Sequence, residues 1–288
     1  STGVFSTAIL QSSSLVGVMS LALVGSGVIA LSSGIGIILG ANLGTTMTGW
    51  VVSVIGFKLD LADTALPLLA LGSVGFIALR TWPYLAGIMR LVLAVALLIW
   101  ALSLMKAAVQ PEGAELTAAI SQGQGWLSYF FIGLVLTLII QSSSAMMMIT
   151  LSLLSVGLLD IHHAAAVVVG ADLGTTGTVM LGAIGGTAPR RQVAYAHLWF
   201  NVLNAIIALL LIPLIPTAMA VTGLSDPLFT LVAFHSSFNL IGILLFYPFL
   251  SYYSEFLQRR VQDKVRARTL YLNPEVGRVP EAGIEALH

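Results

Sequence analysis

The sequence predicts an all-α, polytopic membrane protein of two inverted-topology repeats, each a re-entrant helical hairpin plus three transmembrane helices. Four observations carry this. Hydrophobic residues make up 58% of the 288-residue chain and charged residues 8%, against about 25% charge in soluble domains. The mean hydropathy is +0.99, a value that calls for lipid as solvent. A polar signature also occurs twice: Gln11-Ser12-Ser13-Ser14 with Gly40-Ala41-Asn42-Leu43-Gly44-Thr45-Thr46, and, 130 residues later, Gln141-Ser142-Ser143-Ser144 with Gly170-Ala171-Asp172-Leu173-Gly174-Thr175-Thr176. Finally, the charged residues sort cleanly to two sides.

Apolar stretches fall at 1–10, 15–31, 35–56, 61–79, 84–109, 126–140, 145–159, 164–186, 193–215 and 228–253. A full crossing takes about 20 residues. The pair 126–140 and 145–159 is too short for two crossings and has Gln-Ser-Ser-Ser between its members, the pattern of a hairpin with its tip inside the membrane. The first pair is its copy. Residues 1–10 read as the second half of a helix that starts upstream, since they match the end of 126–140. Residues 1–110 then form the first repeat and 111–254 the second. Three crossings between the hairpins place them on opposite sides of the bilayer.

With this parity one side receives Arg80, Arg190, Arg191, Arg259, Arg260, Lys264, Arg266 and Arg268; the other receives Lys58, Lys106, Asp60, Asp63, Glu112, Glu115, Asp160 and Asp226. The basic side is expected to be cytoplasmic. Residues 255–288 read as a cytoplasmic juxtamembrane tail or linker, with a solvated helix over 255–272 preferred to a membrane-surface one.

Zero net charge gives no reason to expect a nucleic-acid partner, and zero cysteines exclude disulfides and thiolate metal sites. No Gly-x-Ser-x-Gly elbow or Gly-Lys-Ser/Thr phosphate loop is present, so neither an enzyme nor a cofactor is expected. His162-His163 lack acidic partners at ligand spacing.

Gln-Ser-Ser-Ser offers hydroxyls, an amide and backbone N–H groups at a helix break. These donors suit an oxyanion, and a helix N-terminus adds positive potential. Their oxygens equally suit a hard monovalent cation. Single membrane serines mostly serve packing, but four successive polar residues cannot all face neighbours. Gly40, Gly44, Gly170 and Gly174 are expected to unwind the backbone and expose carbonyls. Thr45, Thr46, Thr175 and Thr176 add oxygens. Asp172, the acidic residue expected within a span, belongs with a cation or a proton; Asn42 takes its place in the first copy. His197-x-x-Phe200-Asn201 and His235-x-x-Phe238-Asn239 put His and Asn on one helical face, and interhelical hydrogen bonding is their preferred role.

The paired Gln-Ser-Ser-Ser and Gly-Ala-Asn/Asp-Leu-Gly-Thr-Thr motifs resemble the type II sodium-dependent inorganic phosphate cotransporters and their bacterial relatives, over about residues 1–253. Arg190-Arg191 with His197-x-x-Phe200-Asn201 is similar to that family as well. The resemblance implies sodium influx coupled to phosphate uptake by alternating access, in a bacterial cytoplasmic membrane. It implies phosphate contacts at Ser12, Ser13, Ser142 and Ser143. Sodium contacts are implied at Gln11, Ser14, Asn42, Thr45, Thr46, Gln141, Ser144, Asp172, Thr175 and Thr176. By their own chemistry His197, Asn201, His235 and Asn239 are support, with a proton-linked or substrate-linked role as the sharper alternative. Sodium and phosphate are then partners beside the bilayer. A PhoU-like cytoplasmic domain is implied as a further region, and a homo-oligomer is left open.

Overall fold

The computed structural model describes residues 2–58, 62–109 and 125–263. All regular structure in them is helical. Among the described residues, five helices are long and apolar enough to cross a membrane: Leu31–Val54, Pro83–Leu104, Ile161–Ala183, Ala188–Thr222 and Pro227–Arg260. Most of the 255–272 stretch and of the tail lies outside the described residues.

The first repeat opens with α1 (Thr2–Leu10), α2 (Ser13–Gly25) and α3 (Leu31–Val51), which runs on as a π-helical turn over Val52–Lys58. Then follow α4 (Ala65–Ala78) and α5 (Pro83–Val109). The second repeat answers with α6 (Trp126–Ile140), α7 (Ser143–Ser155), α8 (Ile161–Gly174) and α9 (Thr176–Ala183). Last come α10 (Ala188–Leu211), α11 (Ile215–Thr222), α12 (Pro227–Phe246) and α13 (Leu250–Arg260). Pro213 and Pro248 sit in the 3₁₀ turns Ile212–Leu214 and Tyr247–Phe249 that separate the last two helix pairs. A proline lacks the N–H that would continue the ladder.

Glycines set the packing of α1 on α3 and of α6 on α8. A Cβ on Gly3 would stand 1.9 Å from Ile37 O, and one on Gly133 would stand 2.1 Å from Val167 O. Gly40 likewise meets Val4 N at 2.9 Å, and Gly170 meets Leu134 N at 2.8 Å. The partners keep the 130-residue offset, so the duplication is one of packing as well as motif. Where lipid offers no hydrophobic drive between helices, close small-residue contact of this kind holds them together.

The core has two parts, joined by α10. Val193, Ala194, Ala196 and Phe200 from its N-terminal half cluster with Leu21, Val24 and Leu31 around the α2–α3 turn. Ala205 and Ala208 from its C-terminal half, with Ile212 of the 3₁₀ turn that follows, cluster with Leu154, Leu159 and Ala164 around the α7–α8 turn. At 1.5 Å per residue, Val193 and Ile212 lie about 30 Å apart, so the two turns occupy opposite ends of α10.

The helix expected to continue from 255 ends at Arg260. Val261 and Gln262 turn back onto the base of α10, where Gln192 Nε2 donates to Val261 O at 2.7 Å and Arg191 donates to Gln262 O at 2.9 Å and to Asp263 Oδ1 at 3.0 Å. Those bonds to α10 engage carbonyls that a continuing helix would use within itself.

Candidate functional site

The two Gln-Ser-Ser-Ser motifs have nearly the same backbone. Gln11 and Gln141 have φ of +54° and +58°, the positive values among described non-glycine residues. Each ends a helix, its N–H donating at 2.7 Å to Thr7 O or Thr137 O. Ser12 and Ser142 are extended and cap the helices that follow, accepting from Leu15 N and Ala145 N at 3.2 Å. Gln is forced into the left-handed region at a cost of about 1–3 kcal/mol, and at both positions the chain accepts it to start a new helix N-terminus. Ser13, Ser14 and Ser143 carry hydroxyls that no protein group engages among the described residues.

The motifs meet through a residue that the sequence reading passed over. Thr48 Oγ1 donates to Gln11 Oε1 and lies 3.4 Å from Ser144 Oγ. One hydroxyl therefore links the first motif, α3 and the second motif. Its repeat mate is Thr178, so the signature extends to Gly-Ala-Asn/Asp-Leu-Gly-Thr-Thr-x-Thr, a signal present in the sequence.

The glycines of this signature do not unwind the first copy. α3 passes through Gly40 and Gly44 without interruption, because their missing Cβ atoms let α1 approach. A Cβ on Gly44 would be 2.8 Å from Thr7 Cβ, and one on Gly174 would be 2.7 Å from Thr137 Cβ. The second copy has a one-residue discontinuity at Thr175, between α8 and α9, and Gly170 and Gly174 are helical. The threonines turn inward to their own helices: Thr45, Thr46, Thr175 and Thr176 donate to Ala41 O, Leu43 O, Asp172 O and Leu173 O at 2.6–2.9 Å. Each keeps oxygen lone pairs for a ligand.

Asn42 and Asp172 are buried and stand in comparable frames. Asn42 Nδ2 donates to Asn201 Oδ1 at 2.7 Å, and Asn201 Nδ2 donates to His197 O at 3.0 Å. Asp172 receives Asn239 Nδ2 at 2.8 Å and lies 3.1 Å from His235 Nε2. Asn239 Nδ2 also reaches His235 O at 3.1 Å. One His-x-x-x-Asn face thus serves each repeat, α10 the first and α12 the second. Asn204, also unremarked in the sequence, ties these helices by donating to Asn239 Oδ1 at 3.2 Å. It fits because Gly242 faces it; a Cβ there would lie 2.2 Å from Asn204 Oδ1.

The frames differ in one respect. His235 meets a carboxylate, whereas both ring nitrogens of His197 are buried without a partner. The motif residues carry no arginine or lysine, so positive potential comes from the N-termini of α2 and α7. Converging hydroxyls and helix N-termini can replace the hydration of a tetrahedral oxyanion, and the amide and hydroxyl oxygens can replace that of a hard cation.

The sequence profile described as Na+/Pi-cotransporter matches residues 1–107 and 113–245. A protein of Bacillus subtilis named "Uncharacterized protein YqeW" is 31% identical over 252 residues, covering 84% of this chain and 77% of the relative. The Salmonella typhimurium "Putative inorganic phosphate export protein YjbB" is 28% identical over 278 residues, 95% of this chain and 49% of the relative. The chain thus spans about half the length of that protein. The Mus musculus "Sodium-dependent phosphate transport protein 2C" is 35% identical over 98 residues, 32% of this chain and 16% of the relative. No solved structure matches significantly.

Proposed function

This chain belongs to the Na+/Pi-cotransporter family, and on that premise we propose that it couples sodium influx to the uptake of inorganic phosphate by alternating access. The family is one of transporters rather than enzymes. The observation that carries the reading is the meeting of the two Gln-Ser-Ser-Ser breaks at Thr48, each break delivering a helix N-terminus and free serine hydroxyls. Phosphate oxygens would be held by Ser13 and Ser143 with the capping Ser12 and Ser142. Sodium would be held by oxygens of Gln11, Gln141, Ser14, Ser144 and the threonine pairs, with Asn42 and Asp172 beside them.

The two motifs would sit on re-entrant hairpins of inverted repeats. The α2–α3 and α7–α8 turns at opposite ends of α10 support that arrangement. Arg190 packs against Gly25 at the α2 end, and Arg191 meets the segment after α13. A basic cluster at one end supports a cytoplasmic C-terminal side in a bacterial membrane.

In proteoliposomes, labelled phosphate is expected to accumulate under an inward sodium gradient; equal uptake with potassium would sink sodium coupling. The name of YjbB favours a second reading of direction, phosphate export. Loading phosphate inside and imposing the gradient either way separates the two. Sulfate or a dicarboxylate as competitor tests the anion; without an arginine among the motif residues, a dicarboxylate has no bidentate partner there.

A further inference from the structure

The repeats touch each other reciprocally. Val179 of α9 lies in the space above Gly17 of α2, where a Cβ would be 2.7 Å from its Cγ2. The repeat-related contact has the sizes exchanged: Met147 of α7 reaches Gly49 of α3, its Cε 3.6 Å from the corresponding point. Position i in one repeat meets j in the other, and j meets i, as in a twofold-related interface. This contact between the repeats thus has an image 130 residues away.

Gln11–Thr48–Ser144 has the image Gln141–Thr178–Ser14, of identical residue types. The first is made. In the second, Thr178 Oγ1 is buried without a partner. Burial makes an unbonded hydroxyl unfavourable, while its mate 130 residues earlier is bonded. The molecule is asymmetric at a place where its two motifs meet.

We propose that Thr48 and Thr178 are a pair of positioning residues that exchange bonded states as the site changes the side to which it opens. In the conformer described, Thr48 ties Gln11 to Ser144. In the opposite conformer Thr178 ties Gln141 to Ser14, and Thr48 is released. Because the two trios are chemically the same, one bond replaces an equivalent one. The two end states therefore stay close in free energy, which two-state switching requires. The proposal rests on the transport reading given above.

The chain has no cysteine, so thiol pairs can be introduced without background. Two double variants are compared in membrane vesicles by oxidative cross-linking: Thr48→Cys with Ser144→Cys, and Thr178→Cys with Ser14→Cys. The first pair is expected to cross-link at rest. Adding phosphate, whose proposed serine ligands both variants keep, at a fixed high sodium concentration should lower that yield and raise the second in step. The proposal is overturned if the two yields rise and fall together, or if the second pair never closes while the protein carrying Thr178→Val still exchanges phosphate as fast as the parent. As a second measurement, Thr48→Val and Thr178→Val are each combined with Ser13→Cys, labelled by a membrane-impermeant thiol reagent from either side. Opposite shifts in sidedness support the exchange, and shifts in the same direction overturn it. If the cross-links exchange in step but no phosphate moves, the exchange stands and the transport reading falls.

Discussion

His235 Nε2 stands 3.1 Å from both carboxylate oxygens of Asp172. Both side chains are nearly excluded from solvent, at 3% and 11% exposure. The second repeat thus buries a carboxylate with its imidazole partner where the first buries Asn42 against Asn201. Removing one member of such a pair strands the other. His235→Ala is expected to destabilise the protein by about 3–5 kcal/mol. Asp172→Asn, which copies the first repeat, should cost less, because an amide still accepts from Asn239. Thermal melts in one detergent rank the two; an equal or reversed ranking would contradict the pairing.

Gln11 and Gln141 hold left-handed backbone, which glycine occupies without penalty. Gln11→Gly is expected to raise stability by about 1 kcal/mol and to lower sodium-dependent uptake, because the amide that meets Thr48 is gone. Gln11→Val, β-branched at positive φ, should lower both. Uptake and melting temperature measured on the same preparations separate strain from function.

Packing glycines divide into those that touch backbone and those that face open space. Gly133→Ala would place a Cβ 2.1 Å from Val167 O and is expected to abolish folding or cost more than about 3 kcal/mol, as severe overpacking does. Gly87 lies within α5 with nothing within 4 Å of a Cβ. Gly87→Ala should be neutral or stabilising by about 0.5–1 kcal/mol. Expression and melting of the two variants check the contrast.

Much of this was legible in the sequence because duplication writes each constraint twice. The breaks at Gln11 and Gln141 and the approach of His235 and Asn239 to another helix followed from residue type and spacing. The glycines were misread in both copies because glycine serves unwound backbone and close helix contact equally well. Only the neighbour distinguishes the two: Val4 and Thr7 lie against α3 where carbonyls were expected to be exposed. Thr48 was passed over because the motif was cut at its second threonine. That α10 would frame Asn42 could not be read at all, since a contact across 159 residues leaves no local periodicity.

Asp160 stands one residue ahead of the span that begins at Ile161 and caps it, accepting from His162 N at 2.8 Å and His163 N at 3.1 Å. Burial pushes its carboxyl pKa up, but the backbone and side-chain bonds and charge of His163, with the His162 amide, outweigh burial and hold it below the usual value. A lowered folded pKa means that the stabilisation is complete above the unfolded value of about 4 and fades as pH falls through the folded one. Asp160→Asn keeps a cap but has no proton to lose, so its melting temperature should converge on that of the parent as pH drops below about 4. A constant gap across pH 3–6 would contradict this assignment.

The serines of each motif have separable duties. Ser142 Oγ is committed to Ala145 N at 3.2 Å, whereas the Ser143 hydroxyl, on a buried residue, has no protein partner. Ser142→Ala is therefore expected to cost about 1 kcal/mol of stability through the lost cap, as well as uptake. Ser142→Asp would restore the cap and the melting temperature, but it sets a negative charge where the proposed anion site lies. Its uptake should fall below that of Ser142→Ala. Ser143→Ala leaves every observed bond intact, so it should melt with the parent while losing uptake more than tenfold, a change of about 1.4 kcal/mol in binding or barrier. If Ser143→Ala instead lowers the melting temperature and transports normally, its hydroxyl serves packing, and the anion is held elsewhere.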